Sequence, residues 1–202
     1  MTRTSLLTAV VGALLAGSAA MAQQAPAGPK PGPEIEALKV LARDWNFQSH
    51  IVEGMLWKDA PSAPAHGVWK CDWVMGGLWA SCYMEDWLGP VKDGTGPLAN
   101  GGILGWKGQM FVGWDIEDKV YRMIGVDSEA GAYDWVGRRK GEKFIFVSKD
   151  YRTSQGMQQR FRFTWDFADP KAVKFSQENQ YKGETVWRPF EIAVYTPTTL
   201  PR

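Results

Sequence analysis

The chain has 202 residues, with 23 Lys or Arg and 22 Asp or Glu, so its formal charge is +1. A near-neutral chain with interspersed charges lacks the clustered basic excess that nucleic acids or anionic membrane surfaces require of a protein that binds them. The unusual features of the composition are eleven tryptophans, all downstream of Asp44, and only two cysteines.

Residues 1–22 have the pattern of a secretory signal peptide. Arg3 is followed by an apolar run and by small residues that form an A-x-A cleavage site ending at Ala22. The run is too short to cross a bilayer and no stop-transfer pattern follows it. We therefore expect cleavage near Ala22, no stable membrane insertion, and a mature chain in the periplasm or secreted from the cell.

The next segment, residues 23–33, is rich in Pro and Gly and is predicted to be a linker. The remainder, 34–202, is long enough for a single domain with a substantial core. Its first element is a short amphipathic helix, predicted from the spacing of Ile35 and Leu38 after a proline and ending near Asp44.

Beyond the helix, apolar residues recur at every second position and turn residues punctuate the chain every eight to twelve positions, which is typical of an antiparallel all-β domain. The predicted strands cover 45–57, 67–75, 78–88, 109–115, 119–127, 132–140, 143–149, 158–167, 171–181 and 184–196. Short turns join most of them, so about ten strands in up-and-down order are expected to close into a barrel without exposed edges. Two longer loops are predicted at 58–66 and 89–105, and the inward face of strand 158–167 stays open.

The cysteines flank the Gly76-Gly77 pair in a predicted hairpin. A two-residue turn at these glycines makes the numbers of opposed residues sum to 153, which places Cys71 opposite Cys82. Counting from the turn predicts a hydrogen-bonded pair with its Cα atoms about 5.5 Å apart, a separation that a disulfide accepts. Because the chain is predicted to be exported, we expect a structural disulfide on the inner face of the barrel rather than a redox or metal pair.

Three sequence strings resemble a bacterial family known as domain of unknown function 1579: MGGLWASCYMEDW at 75–87, GILGWKGQMFVGWDIEDKVYRMIGVDSEAG at 102–131 and GRRKGEKFIFVS at 137–148. The matching residues are Trp45, Gly76, Gly77, Trp79, Gly113, Trp114, Asp115, Asp127 and Ser128. The resemblance covers roughly 36–196 and implies an exported, lipocalin-like (calycin-type) barrel with no agreed activity. The chain departs from the family pattern in Trp114, where Tyr is more usual, in its cysteine pair and in the longer loop at 89–105.

Candidate site residues follow from the predicted inner faces of the strands. Indole and thioether side chains suit either a heavily aromatic core or a pocket for an apolar ligand. Asp127 ends a strand, where it could anchor the polar end of a ligand, act as a base, or only cap the following turn. Arg162 is a second possible anchor or a solvated side chain. The predicted ligand-binding set is Trp69, Trp73, Met84, Trp114, Tyr121, Asp127, Trp135 and Arg162.

These patterns leave three functions open. The first is an exported protein that binds a small apolar or amphipathic molecule in a barrel cavity. The second is an isomerase or hydrolase on the same barrel with Asp127 as its base, and the third is a structural protein of the cell envelope. Binding is favoured because the sequence contains no complete catalytic constellation. The two histidines, His50 and His66, lack metal-ligand or haem-binding spacing, so no metal or cofactor is predicted.

Overall fold

A computed structural model describes residues 28, 30–55, 61–89, 103–154 and 157–198. Within these ranges lie one α-helix, a single 3-10 turn and eleven β-strands. The helix α1 is Pro33–Leu38, and the 3-10 turn is Met75–Gly77. The strands are β1 (Trp45–Ile51), β2 (Ala63–Val74), β3 (Trp79–Leu88), β4 (Ile103–Asp115), β5 (Val120–Asp127), β6 (Ala132–Lys140), β7 (Lys143–Ser148), β8 (Arg152–Ser154), β9 (Met157–Asp166), β10 (Val173–Tyr181) and β11 (Arg188–Pro197).

Ten of these strands form a closed antiparallel barrel. Pairing follows chain order from β1 to β7, continues through β9, β10 and β11, and returns to β1. The short strand β8 pairs only with the start of β9. The predicted all-β barrel of about ten strands with a short N-terminal helix is therefore confirmed, and it is consistent with a lipocalin-like fold.

The boundaries of several elements differ from those predicted. Strand β2 begins at Ala63, within the predicted loop 58–66, and β4 begins at Ile103, within the predicted loop 89–105. Strand β8 was not predicted because three residues are too few to show an alternating pattern. The predicted signal peptide, most of the linker, and the loop segments 56–60 and 90–102 lie outside the described residues.

The hairpin of β2 and β3 has the predicted register, with Cys71 opposite Cys82 and a disulfide between them. The predicted spacing was wrong, because the two Cα atoms lie 4.1 Å apart, a distance typical of a non-hydrogen-bonded pair. The last ladder pair is Val74 with Trp79, one residue further from the turn than expected. This difference exchanges the hydrogen-bonded and non-hydrogen-bonded pairs along the hairpin. Cys71 N–H accordingly donates to Asp44 Oδ1 at 3.0 Å instead of to β3.

The core occupies the barrel interior and the space beneath α1. The disulfide belongs to it, since Cys71 and Cys82 are 1% and 0% exposed. Ile35 and Leu38 of α1 are buried in the same cluster. Trp45, the first residue of β1, belongs to the same core cluster as the helix residues. The helix therefore marks one end of the barrel, which we call the helix end; the opposite end is called the mouth.

Candidate functional site

The helix end of the barrel is densely packed and holds one wall of the interior in place. The indole N–H groups of Trp45 and Trp69 both donate to the carbonyl oxygen of Leu41, at 3.3 and 3.2 Å. Leu41 follows α1, and its carbonyl oxygen also accepts from the backbone N–H of Arg43 at 3.0 Å, so the two indoles share an acceptor that the chain segment after the helix holds in place. Trp69 therefore has a defined orientation before any ligand arrives.

A cavity of about 170 Å³ lies between this packed region and the mouth. Nine aromatic side chains line it: Trp69, Trp106, Tyr133, Trp135, Phe161, Phe163, Trp165, Phe175 and Phe190. Ring pairs stack around it, such as Tyr133 with Trp135 at 4.8 Å between centroids. An engineered apolar cavity of about 150 Å³ binds benzene, so this cavity has room for a ligand of about one ring with a few attached atoms.

Half of the predicted ligand-binding set lines this cavity, namely Trp69, Met84, Asp127 and Trp135. The predicted members Trp73, Trp114 and Tyr121 lie near the helix end of β2, β4 and β5 and do not line it. Trp114 packs against Tyr121 with 4.9 Å between ring centroids. These three belong to the core that closes the barrel, because a row of inward residues on a long strand spans both ends.

Arg162 lies on the outer face of β9 and does not line the cavity. Phe161 and Phe163 flank it in sequence and point inward, which settles the face that the sequence left open. The Arg162 guanidinium forms two hydrogen bonds with the Glu178 carboxylate, at 2.7 and 2.6 Å. It also stands over the ring of Trp187 at 4.6 Å. Arg162 is thus a paired side chain of the outer surface.

Asp127 borders the cavity and also caps the turn after β5. Its Oδ1 accepts from the backbone N–H groups of Glu129 and Gly131, at 2.9 and 2.7 Å. Its Oδ2 accepts from the indole of Trp106 at 3.1 Å. Both carboxylate oxygens of Asp127 therefore accept hydrogen bonds from the protein at the mouth of the barrel. The interpretation of Asp127 as the base of an isomerase or hydrolase stays a prediction.

Two buried carboxyl groups, Asp86 on β3 and Glu191 on β11, are the main polar feature of the cavity. They are 8% and 4% exposed, and Asp86 Oδ1 and Glu191 Oε1 have no hydrogen-bond partner among the described residues. Burial raises the pKa of Glu191 to about 7, which the nearby Ser49 hydroxyl opposes. Burial, with a further contribution from the Glu191 charge, raises the pKa of Asp86 to about 8. Each carboxyl group of the pair therefore holds its proton to a higher pH than an exposed carboxyl group does.

Each of these carboxyl groups sits beside a β-bulge. The β3–β4 ladder skips Gly105 next to Asp86, and the β10–β11 ladder skips Phe190 next to Glu191. Both skipped residues line the cavity. Bulges bend a strand and redirect its side chains, and they are frequent next to functional sites. Here the two bulges lie next to the two carboxyl groups that line the cavity.

Two buried amides and one half-buried amide form a second polar row on the cavity wall. Asn179 donates to Gln159 Oε1 at 3.0 Å, and Gln177 donates to Asn179 Oδ1 at 3.1 Å. All three line the cavity. This row is internally hydrogen-bonded, in contrast to the carboxyl pair, so it serves as a fixed polar wall.

The sequence interpretation did not select Asp86 or Glu191, although the strand pattern contained the signal. Asp86 is two residues beyond Met84 on a face already predicted to point inward, and Glu191 alternates with Ala193 and Tyr195. An acidic residue in the inward register of a buried strand is unusual because a charge is costly to bury. That contradiction between residue type and register is the marker that would have identified both.

Metal ligands, histidines and membrane-spanning helices add nothing to this cavity in the described ranges. No group of three or more His, Cys, Asp or Glu residues there could hold a metal ion. His50 is exposed on β1, whereas His66 is buried and stacks on Trp87; neither lines the cavity. No helix in the described part of the chain is both long enough and apolar enough to cross a membrane.

No family model matches the chain, and no curated protein matches it either. The resemblance to domain of unknown function 1579 therefore stays a prediction.

Proposed function

We propose that this chain is an exported protein, located in the periplasm or secreted, that binds a small apolar or amphipathic molecule inside the barrel. The observation that carries the proposal is the aromatic cavity of about 170 Å³ near the mouth. Rings provide a large contact area at low entropic cost, and a few polar groups then orient the ligand. The carboxyl pair and the amide row are such groups.

Export is supported by two features. Residues 1–22 have the signal-peptide pattern, and the Cys71–Cys82 disulfide is compatible with an oxidising compartment. Cell fractionation of the native host followed by N-terminal sequencing tests this part. We expect a mature chain that starts near Gln23, outside the cytoplasm; a full-length cytoplasmic protein would contradict export without bearing on the cavity.

Ligand binding is tested by native mass spectrometry of protein purified from its own host, together with tryptophan fluorescence during titration with ring-sized apolar probes such as toluene. Trp69, Trp135 and Trp165 line the cavity, so an occupant should change the emission. Ligand-free spectra in repeated preparations, combined with no fluorescence change across the probes, would refute the proposal.

A filling substitution shows whether binding occurs in this cavity. Met84→Trp places a larger side chain on the lining, and we expect it to weaken probe binding by at least about tenfold because the space is lost. Val126→Trp is the matched control, since Val126 is 57% exposed on the outer face of β5, and it should bind probes as the parent does. Equal binding by both variants would place the ligand elsewhere.

A further inference from the structure

The charges that line the cavity all have the same sign. Its acidic residues are Asp86, Asp127, Glu129 and Glu191, and none of the described residues in its lining is Lys, Arg or His. The chain as a whole has nearly equal numbers of acidic and basic residues, so the composition does not explain this bias. An apolar cavity with only acidic groups at its wall attracts cations and disfavours anions.

The carboxyl pair has acceptor capacity that no other described group uses. Asp86 Oδ1 and Glu191 Oε1 are buried without hydrogen bonds within the described ranges. A buried polar atom without a partner is costly, and such atoms in native proteins generally have a reason. Packing voids in cores are apolar, so unpaired carboxyl oxygens in the wall distinguish this cavity from a packing defect.

The other titratable groups of the cavity wall come from several strands and bring no positive charge. Asp127 ends β5, Glu129 follows in the turn, and Tyr133 lies on β6. The Tyr195 hydroxyl on β11 is buried near both carboxyl groups, and burial together with their charges raises the pKa of its phenol. The cavity lining therefore contains no positively charged partner for the pair, and a cationic ligand would supply one.

The aromatic walls add a second attraction for a cation. The electron-rich face of an indole or phenyl ring attracts an ammonium group, and the attraction increases where water is excluded. Trp135 and Trp165 are 2% and 3% exposed and line the same cavity as the carboxyl pair. The indole N–H of Trp135, which has no hydrogen-bond partner in the described part of the chain, offers a donor for an oxygen atom of a ligand.

We infer that the cavity selects small organic cations: protonated amines joined to an apolar body of about one ring, with the ammonium group at Asp86 and Glu191. This inference rests on the proposed function and specifies the class of its ligand. Apolar rings hold the body, while the carboxyl oxygens accept hydrogen bonds from the ammonium group. Because the cation favours ionised carboxyl groups, its binding near neutral pH displaces protons from the pair and strengthens as pH rises.

The test compares three probes of nearly equal size, benzylamine, benzyl alcohol and benzoate, by calorimetry and tryptophan fluorescence at pH 8. We expect benzylamine to bind at least about tenfold more tightly than benzyl alcohol, because hydrogen bonds to charged groups are the stronger ones. Benzoate should bind most weakly. At pH 5.5 the affinity for benzylamine should fall at least about fivefold as the pair takes up protons, while that for benzyl alcohol stays constant.

The double variant Asp86→Asn/Glu191→Gln assigns the preference to the pair. We expect it to lose the preference for benzylamine and to keep its affinity for benzyl alcohol, which also shows that the cavity is intact. The control is Glu117→Gln/Asp118→Asn, which removes the same two charges from an exposed hairpin tip at the helix end and should retain the preference.

The outcomes separate the two proposals. If benzyl alcohol binds as tightly as benzylamine, the cation inference is wrong while the binding function stands. If the double variant keeps the preference, the assignment to Asp86 and Glu191 is wrong. If none of the three probes binds and the ring-sized apolar probes also cause no fluorescence change, both the proposed function and the cation inference are refuted.

Discussion

Replacing Glu191 with glutamine removes a buried acid at nearly constant volume, and the effect on stability should depend on pH in a defined direction. Burial raises the pKa of Glu191 from 4.5 to about 7. The folded state thus keeps the proton to a higher pH than the unfolded state, so unfolding releases a proton within this window. The contribution of Glu191 to the free energy of unfolding consequently falls as pH rises from about 4.5 to about 7.

The size of the effect follows from the difference between the two pKa values, roughly 2.5 pH units at about 1.4 kcal/mol each. Glu191 should therefore destabilise the folded parent by about 3 kcal/mol at pH 8 relative to pH 4.5. Asp86 adds to the same trend, since its pKa is raised to about 8. Glu191→Gln should nearly match the parent at pH 4.5 and exceed it at pH 8, with a flatter profile.

The assay is urea unfolding followed by tryptophan fluorescence at several pH values between 4.5 and 8, for the parent and for Glu191→Gln. Glu117→Gln, at an exposed position, is the control and should follow the parent profile. A difference between parent and Glu191→Gln that stays constant over this range would refute the reasoning, as would a parent whose stability rises with pH.

Two further predictions concern the scaffold. Replacing Cys71 and Cys82 with alanine should lower the free energy of unfolding, measured with urea, by about 3 kcal/mol, which is the chain-entropy value for so short a loop. Thiol labelling of the unfolded, unreduced parent should find no free sulfhydryl. Two labels per chain would contradict the disulfide. Gly67→Ala should destabilise by at least about 2 kcal/mol, because its Cβ would lie 2.1 Å from the Glu85 carbonyl oxygen and 2.3 Å from the Phe47 ring. Gly141→Ala, where the added Cβ meets nothing within 4 Å but φ is +60°, measures the cost of left-handed backbone strain alone, about 1 kcal/mol. A loss at Gly67→Ala no larger than that at Gly141→Ala would contradict the close-packing argument.

Local patterns were sufficient for the architecture. Alternation of apolar residues identified ten of the eleven strands that lie in the described residues. The position of the Gly76-Gly77 turn was enough to place Cys71 opposite Cys82. Alternation succeeds because each barrel strand has one face toward the core and one toward solvent. The same logic failed at β8, whose three residues cannot show a period, and at the cysteine spacing, where a turn longer by one residue on each side changed the hydrogen-bonding parity.

The same alternation predicted only part of the candidate site, because four of the eight predicted residues line the cavity. Trp69 and Trp135 line the cavity as expected, whereas Trp114 and Tyr121 share their inward orientation but pack at the helix end. Parity along a strand shows which way a side chain points. It does not show at what height along the barrel the interior is filled or open.

The sequence by itself determined the strand pattern, the barrel class, the disulfide partners and the inward face of most strands, because these depend on residues near one another in the chain or on a single turn. Only the tertiary structure decided that Asp86 and Glu191, more than a hundred positions apart, meet in one cavity beside two bulges. Ring closure of the sheet pairs β11 with β1, and no local pattern records which distant side chains then line the same interior. The acid pair, which supplies the unpaired carboxyl oxygens of the cavity wall, is therefore a product of closure.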